Sequence, residues 1–311
     1  MRTELIGNRK KGRLEELARE AENDPVFVDV MAELKGDKCE FSFLKLKKCD
    51  KAMKLINGVE KHIGFIEKDG AKYVCDSLKH KYWIIATNLD LVIAYNAIGK
   101  TAEARELMSY LEPKTKTESF LDYTSNIATA ALAHLSFGRI DEAANWVNYI
   151  FKNRSFQADH DWKIVHNRSK PSFIKMKSVD SALLALACAG VGRKNDTLKL
   201  INGIKREFRL SHIVDDDTLL VEDHVVDNSY RSTPYHSTSA NAYFAMACYN
   251  LGQKELAKEV MNGIDMIIEK KFNENEILIG DELDKWNHRH AYSSLAAALA
   301  YMAQAHYENE N

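Results

Sequence analysis

The amino-acid sequence predicts an all-α fold, an (α/α)6-type toroid of helical hairpins with short strand pieces in its long loops. Three observations lead there. First, four segments align without gaps: 93–108, 132–147, 186–201 and 246–261. Each is an apolar stretch, a glycine and a second helix-forming stretch. Second, the stretch before each glycine is apolar almost all round, whereas the stretch after it carries charge on one face. An all-round apolar helix is buried and an amphipathic one borders solvent, so the first helices form an inner layer and the second an outer layer. Third, the turn glycines Gly99, Gly138, Gly192 and Gly252 lie 39, 54 and 60 residues apart. A solenoid keeps one fixed period. A constant short turn with variable links between hairpins favours a ring.

The elements follow in chain order. The whole chain, 1–311, reads as a single domain, and helix 13–23 is a candidate outer helix supplied by the N-terminal segment to close the ring. Inner helices are expected near 25–35, 84–98, 123–137, 179–191, 237–251 and 289–307. Outer helices follow the first five, with 53–59 and 253–271 among them. Glycine just past a helix end takes a left-handed conformation that side chains disfavour, which makes each inner-to-outer turn tight. Three outer helices share an Asn-Gly pair: Asn57-Gly58, Asn202-Gly203 and Asn262-Gly263. The outer-to-inner links are long, roughly 64–82, 113–122, 154–178, 209–236 and 272–288. Strand pieces are expected within 64–75 and 276–280.

Composition narrows the function classes. The chain has 311 residues, 45% hydrophobic, with a formal net charge of -2. No basic excess advertises nucleic acid. The longest apolar runs are far shorter than a membrane span. The N-terminal stretch has basic residues but no apolar core, so a cytoplasmic protein is expected. The five cysteines are scattered and form no CxxC, which reads as structural thiols. No cofactor is expected. There is no phosphate loop, no GxGxxG, no GxSxG and no HExxH. Asp223, His224 and Asp227 match no strong metal-ligand spacing, so no metal is expected either.

In an antiparallel hairpin array, all links of one kind emerge on one face. Long loops in a compact domain are often functional. These links and the inner-helix starts hold eight of the eleven histidines. The inner-helix N-termini converge there, and their unpaired N–H groups suit an oxygen-rich ligand. The ring mouth is therefore the expected site. Its densest cluster is 281–292, with Trp286, Asn287, His288, Arg289, His290 and Tyr292. A second is 222–239, with Arg231, Tyr235 and His236, where Ser237 or Ser239 caps the next helix. A third is 159–166, with Asp161, Trp162 and His166. Trp83 enters the first of these inner helices. Asp90, Asp122 and Asp180 lie at or near inner-helix starts, as caps or as acids and bases. The expected catalytic set is His288, His290, Tyr292, His236 and Asp180. The expected substrate-binding set is Trp286, Asn287, Arg289, Tyr235, Arg231, Trp162 and Trp83.

An Ala-rich inner helix, a short Gly turn and a long aromatic loop together resemble the six-hairpin, or α/α-toroid, carbohydrate-active enzymes. The resemblance covers most of 25–307 and is architectural. Residues 286–292, WNHRHAY, resemble the Asn-His motif of toroid lyases. That likeness implies that Asn287 neutralises a uronate carboxylate while His288 or Tyr292 abstracts a proton. The function it implies is acid/base chemistry on a sugar or uronate-containing saccharide, as hydrolase, lyase or epimerase. Two other readings stand beside it. One is a tetratricopeptide-like scaffold with a protein or peptide partner. The other is a non-catalytic toroid that binds a small ligand.

Overall fold

The computed structural model describes residues 46–78, 82–166, 176–213, 217–222, 224–225, 236–267, 269–280 and 290–308. The helices expected at 13–23 and 25–35 lie outside them. The described inner helices are α2 (Ile85–Ala97), α4 (Thr124–Ser136), α6 (Ser178–Gly190), α8 (Thr238–Asn250) and α10 (His290–Tyr307). Each starts and ends within about a residue of its predicted place. The outer helices are α1 (Asp50–Gly58), α3 (Thr101–Leu111), α5 (Ile140–Asn153), α7 (Lys194–Glu207) and α9 (Lys254–Asp265). Gly99, Gly138, Gly192 and Gly252 all take positive φ, between 71° and 89°, as the hairpin turns require.

The inner helices touch in the order α2, α4, α6, α8, α10 and back to α2, so they close on themselves. Closure removes the open helical groove that a tetratricopeptide-like scaffold would need, which corrects that alternative. Helices α3, α5, α7 and α9 pack on the inner helix that precedes them. Helix α1 does not follow a described inner helix at 25–35. It packs on α10, so the N-terminal part of the unit supplies the outer partner of the last inner helix. The outer helix expected over 253–271 is shorter, because Glu269–Asn273 leaves it to form a strand. Among the described residues, no helix is long and apolar enough to cross a membrane.

Four strand hairpins precede inner helices: β1–β2 (Phe65–Lys68, Ala71–Val74), β3–β4 (Phe156–Ala158, Lys163–Val165), β6–β7 (Leu210–His212, Leu219–Val221) and β9–β10 (Glu269–Asn273, Glu276–Ile279). A further pair joins β5 (Met176–Lys177) to β8 (His224–Val225). The first hairpin and the second strand of the last one fall where strand pieces were expected. Asp69 and Gly70, at φ 53° and 79°, make the Asp-Gly turn that suits the twist of a two-residue hairpin.

Each hairpin docks in the same way. Its second strand buries a backbone N–H that a polar side chain early in the inner helix accepts. Val74 donates to Asn88 at 2.8 Å, Val165 to Ser181 at 3.2 Å, Val221 to Asn241 at 2.7 Å and Ile279 to Ser294 at 3.1 Å. Asn88 and Asn241 also donate back to the Val74 and Val221 carbonyls at 3.1 Å. The Asn-Gly pairs seat the other side. Asn57, Asn202 and Asn262 donate to the carbonyls of Asn275, Asp161 and Asp217. Two residues further on, the backbone comes so close that a Cβ on the glycine would collide. It would stand 1.9 Å from the Ile277 oxygen at Gly58, 2.1 Å from the Lys163 oxygen at Gly203 and 2.4 Å from the Leu219 oxygen at Gly263. Only glycine permits that approach.

Gly58→Ala, Gly203→Ala and Gly263→Ala should each destabilise by about 1–3 kcal/mol, the usual cost of overpacking. For a chain of this size that is a fall of roughly 3–10 °C in melting temperature, read by thermal denaturation. An unchanged Gly58→Ala would contradict the pairing of α1 with the last hairpin.

Candidate functional site

The N-terminal halves of the inner helices are polar yet buried. Thr87, Asn88, Asp90, Thr124, Thr129, Asp180, Ser181, Asn241, His290 and Ser293 are all nearly inaccessible. Some of these groups serve the fold. Asn88, Ser181 and Asn241 hold strands, as above. Thr124 donates to the His166 carbonyl at 2.7 Å.

A smaller group turns inward. Tyr243 on α8 faces the Asp90 carboxylate on α2 and the Tyr292 hydroxyl on α10. Helices α2 and α8 are not neighbours in the ring, so this contact spans its lumen. Burial, then the nearby Asp90 charge and Tyr292, push the Tyr243 hydroxyl well above the ordinary tyrosine range. The Tyr243 and Tyr292 rings sit 6.3 Å apart. Toward the mouth, Asp76 follows strand β2 and is fully buried. Its Oδ1 accepts the Thr87 hydroxyl at 2.7 Å. Its backbone carbonyl accepts the Ala291 N–H at 3.3 Å, which ties it to the start of α10 beside His290. Thr87 and Asp90 are three apart on α2 and share a face. Asp76, Thr87 and Asp90 therefore descend from mouth to lumen, with His290, Tyr292 and Tyr243 around them.

The predicted residues divide accordingly. Tyr292 lies in this group, and His290 is buried next to Ala291, whose N–H holds the Asp76 carbonyl. His236 is half-buried just before α8. Ser237 caps α8 as expected, accepting from Ala240 at 3.5 Å, with Ser239 beside it at 3.0 Å. Asp180 was expected as a catalytic acid or base. It instead accepts the Ser125 N–H at 2.8 Å, capping the neighbouring helix α4, and its charge faces Arg154. Trp162 was expected to stack on substrate. It is 6% exposed in the core, with the Arg206 guanidinium 4.9 Å over its ring, so neither face is offered. Trp83 is stacked on Tyr73 at 4.1 Å. Lys114 lies 5.7 Å above it. Arg231, Tyr235, Trp286, Asn287, His288 and Arg289 lie outside the described residues, as do Asp223 and Asp227. Asp76 and Tyr243 escaped the sequence reading. Asp76 had a signal, since Asp223 and Asp281 stand at the same distance past Val221 and Ile279.

No family model matches the chain, and no curated protein does. Solved structures do. The GH76A alpha-1,6-mannanase of Salegentibacter sp. HEL1_6 aligns at 9% identity with a TM-score of 0.54, over 82% of this chain and 98% of that one. The Lin0763 protein of Listeria innocua gives 11% and 0.54, over 84% and 97%. A GH76 alpha-mannanase of Bacteroides thetaiotaomicron gives 11% and 0.50, over 84% and 96%. An inactive variant of the Salegentibacter enzyme is known in complex with alpha-1,6-mannotriose. At these identities the likeness concerns the fold. This chain shares the α/α-toroid fold of these structures.

Burial lowers the His166 imidazole below its ordinary value. The unfolded chain therefore binds the extra proton first as pH falls. The stability contributed by neutral His166 is complete above about pH 6.5 and is lost as pH drops through the folded value. Thermal denaturation of wild type and His166→Gln from pH 7.5 to 5 should show a steeper loss in wild type. Parallel curves would remove His166 as a contributor.

Proposed function

We propose that this protein is a carbohydrate-active enzyme, a glycoside hydrolase in reaction class, acting at the ring mouth. One observation carries the reading. A fully buried carboxylate, Asp90, faces the Tyr243 hydroxyl, itself beside Tyr292, across the lumen of a toroid whose fold is shared with an alpha-1,6-mannanase. Glycosidic cleavage of this kind uses two carboxyl groups, one protonating the leaving oxygen and the other acting as base or nucleophile at the anomeric carbon. Asp76 and Asp90 are the pair we assign. Tyr243, backed by Tyr292, orients Asp90, and His290 stands beside the Asp76 segment. The segments with Arg231 and Tyr235, and with Trp286, Asn287, His288 and Arg289, run directly into α8 and α10. We assign them, with His236, to the substrate side. Trp there stacks on a sugar ring, and Arg and Asn pair with its oxygens.

The test is product release from α- and β-linked manno-, gluco- and uronate-containing oligosaccharides. Asp90→Asn and Asp76→Asn should each lose roughly 10²- to 10⁴-fold in turnover, the usual scale of acid/base catalysis, with melting temperatures that show the protein still folded. Unchanged turnover in both variants would sink the assignment. A saccharide that raises the melting temperature but is never cleaved would support the non-catalytic, ligand-binding toroid instead.

A further inference from the structure

Three of the four hairpins rest on an Asn-Gly pair. The exception is β1–β2. Eleven residues past the turn glycine, where α7 and α9 place Gly203 and Gly263, α3 places Tyr110, preceded by Ser109. The Tyr110 hydroxyl reaches toward the hairpin turn, 4.0 Å from where a Cβ on Gly70 would stand. A backbone cannot close onto a tyrosine as it does onto glycine. A cavity of about 450 Å³ lies between β1–β2 and α3. Leu91 and Leu107 are its floor, Phe65 and Tyr110 its walls, and Glu103 and Glu106 stand along α3.

The β3–β4 unit shows what occupies this place where the hairpin is seated. Phe156 pairs with Val165 as Phe65 pairs with Val74, so Phe156 and Lys163 hold the positions of Phe65 and Lys72. Asp196 and Glu103 each lie four residues past their turn glycine. In the seated unit the Lys163 ammonium is bonded to Asp196. It lies 4.6 Å and 5.8 Å over the Phe151 and Phe156 rings. In the β1–β2 unit Lys72 also lines the cavity, but its ammonium is not bonded to Glu103. Lys72 sits on the exposed side, 3.6 Å from Glu67. Among the described residues Glu103 and Glu106 make no ion pair. Glu103 and Phe65, the counterparts of Asp196 and Phe156, thus line the cavity without an ammonium bonded between them.

We propose that this cavity binds a small organic cation, a protonated primary amine on a compact apolar body. The ammonium donates to the Glu103 and Glu106 carboxylates as Lys163 does to Asp196. The apolar body lies against Phe65 and Tyr110, over Leu91 and Leu107, where a cation near ring faces gains further attraction. The site is separate from the lumen and does not depend on the glycosidase reading.

Calorimetric titration of the full chain at neutral pH with benzylamine, and with benzyl alcohol as its uncharged counterpart, tests it. Benzylamine should bind at least about tenfold more tightly than the alcohol. Glu103→Gln with Glu106→Gln should weaken benzylamine about 10- to 100-fold, the scale of charged hydrogen bonds. Ser109→Asn with Tyr110→Gly restores the seat and should abolish binding while the protein stays folded. Equal binding of the alcohol, or indifference to the double Gln variant, would overturn the proposal. So would benzylamine binding to Lys72→Ala but not to wild type, which would mean that Lys72 itself fills the cavity. Binding to neither would also overturn it.

Discussion

The ring depends on how it satisfies the backbone of four small hairpins. A two-stranded hairpin is marginal alone in water. Here each is wedged between an inner and an outer helix, which buries one strand and strips water from its N–H and C=O groups. An unpaired buried backbone group costs about 1–3 kcal/mol. Asn88, Ser181, Asn241 and Ser294 prevent that cost at one side, and the Asn-Gly pairs allow close approach at the other. Three of the repeats are thus a hairpin, an inner helix and an outer helix locked by two side chains and one absent Cβ.

The same arrangement explains the closure of the ring. Helix α1 is distant in sequence from β9–β10 and α10, yet it carries the seat that the last unit lacks. Asn57 bonds Asn275, and the Ile277 carbonyl lies where a Cβ on Gly58 would be. The last repeat is completed by the beginning of the described chain, which joins the two ends of the unit as a further hairpin would. Alanines along the inner helices let them approach closely around the lumen.

Closure then creates a strongly polar interior. Helix starts that would be solvated in an open array are brought together and dried. Groups that serve as caps on one helix become neighbours of groups on another, as Asp180 caps α4 from α6. The Asp90 charge faces Tyr243, about 150 residues away, which in turn faces Tyr292, and this fits a site that only the closed ring assembles. The toroid is thereby both the scaffold and the means of desolvating a carboxylate, the condition on which acid chemistry at neutral pH rests.

Much of this architecture was determined locally. Inner helices, turn glycines and the strand pieces at 65–74 and 276–279 follow from hydrophobic period and left-handed backbone geometry, both readable within a few residues. Asn-Gly was visible as a repeated pair, but its purpose was not, because the carbonyls it accommodates lie 41 to 218 residues away. The capping of α4 by Asp180, the burial of Trp162 and the meeting of Asp90 with Tyr243 were likewise decided in three dimensions. Sequence determines which faces are apolar and where the chain turns. Which polar groups share a desolvated space depends on which helices become neighbours, and only closure of the ring sets that.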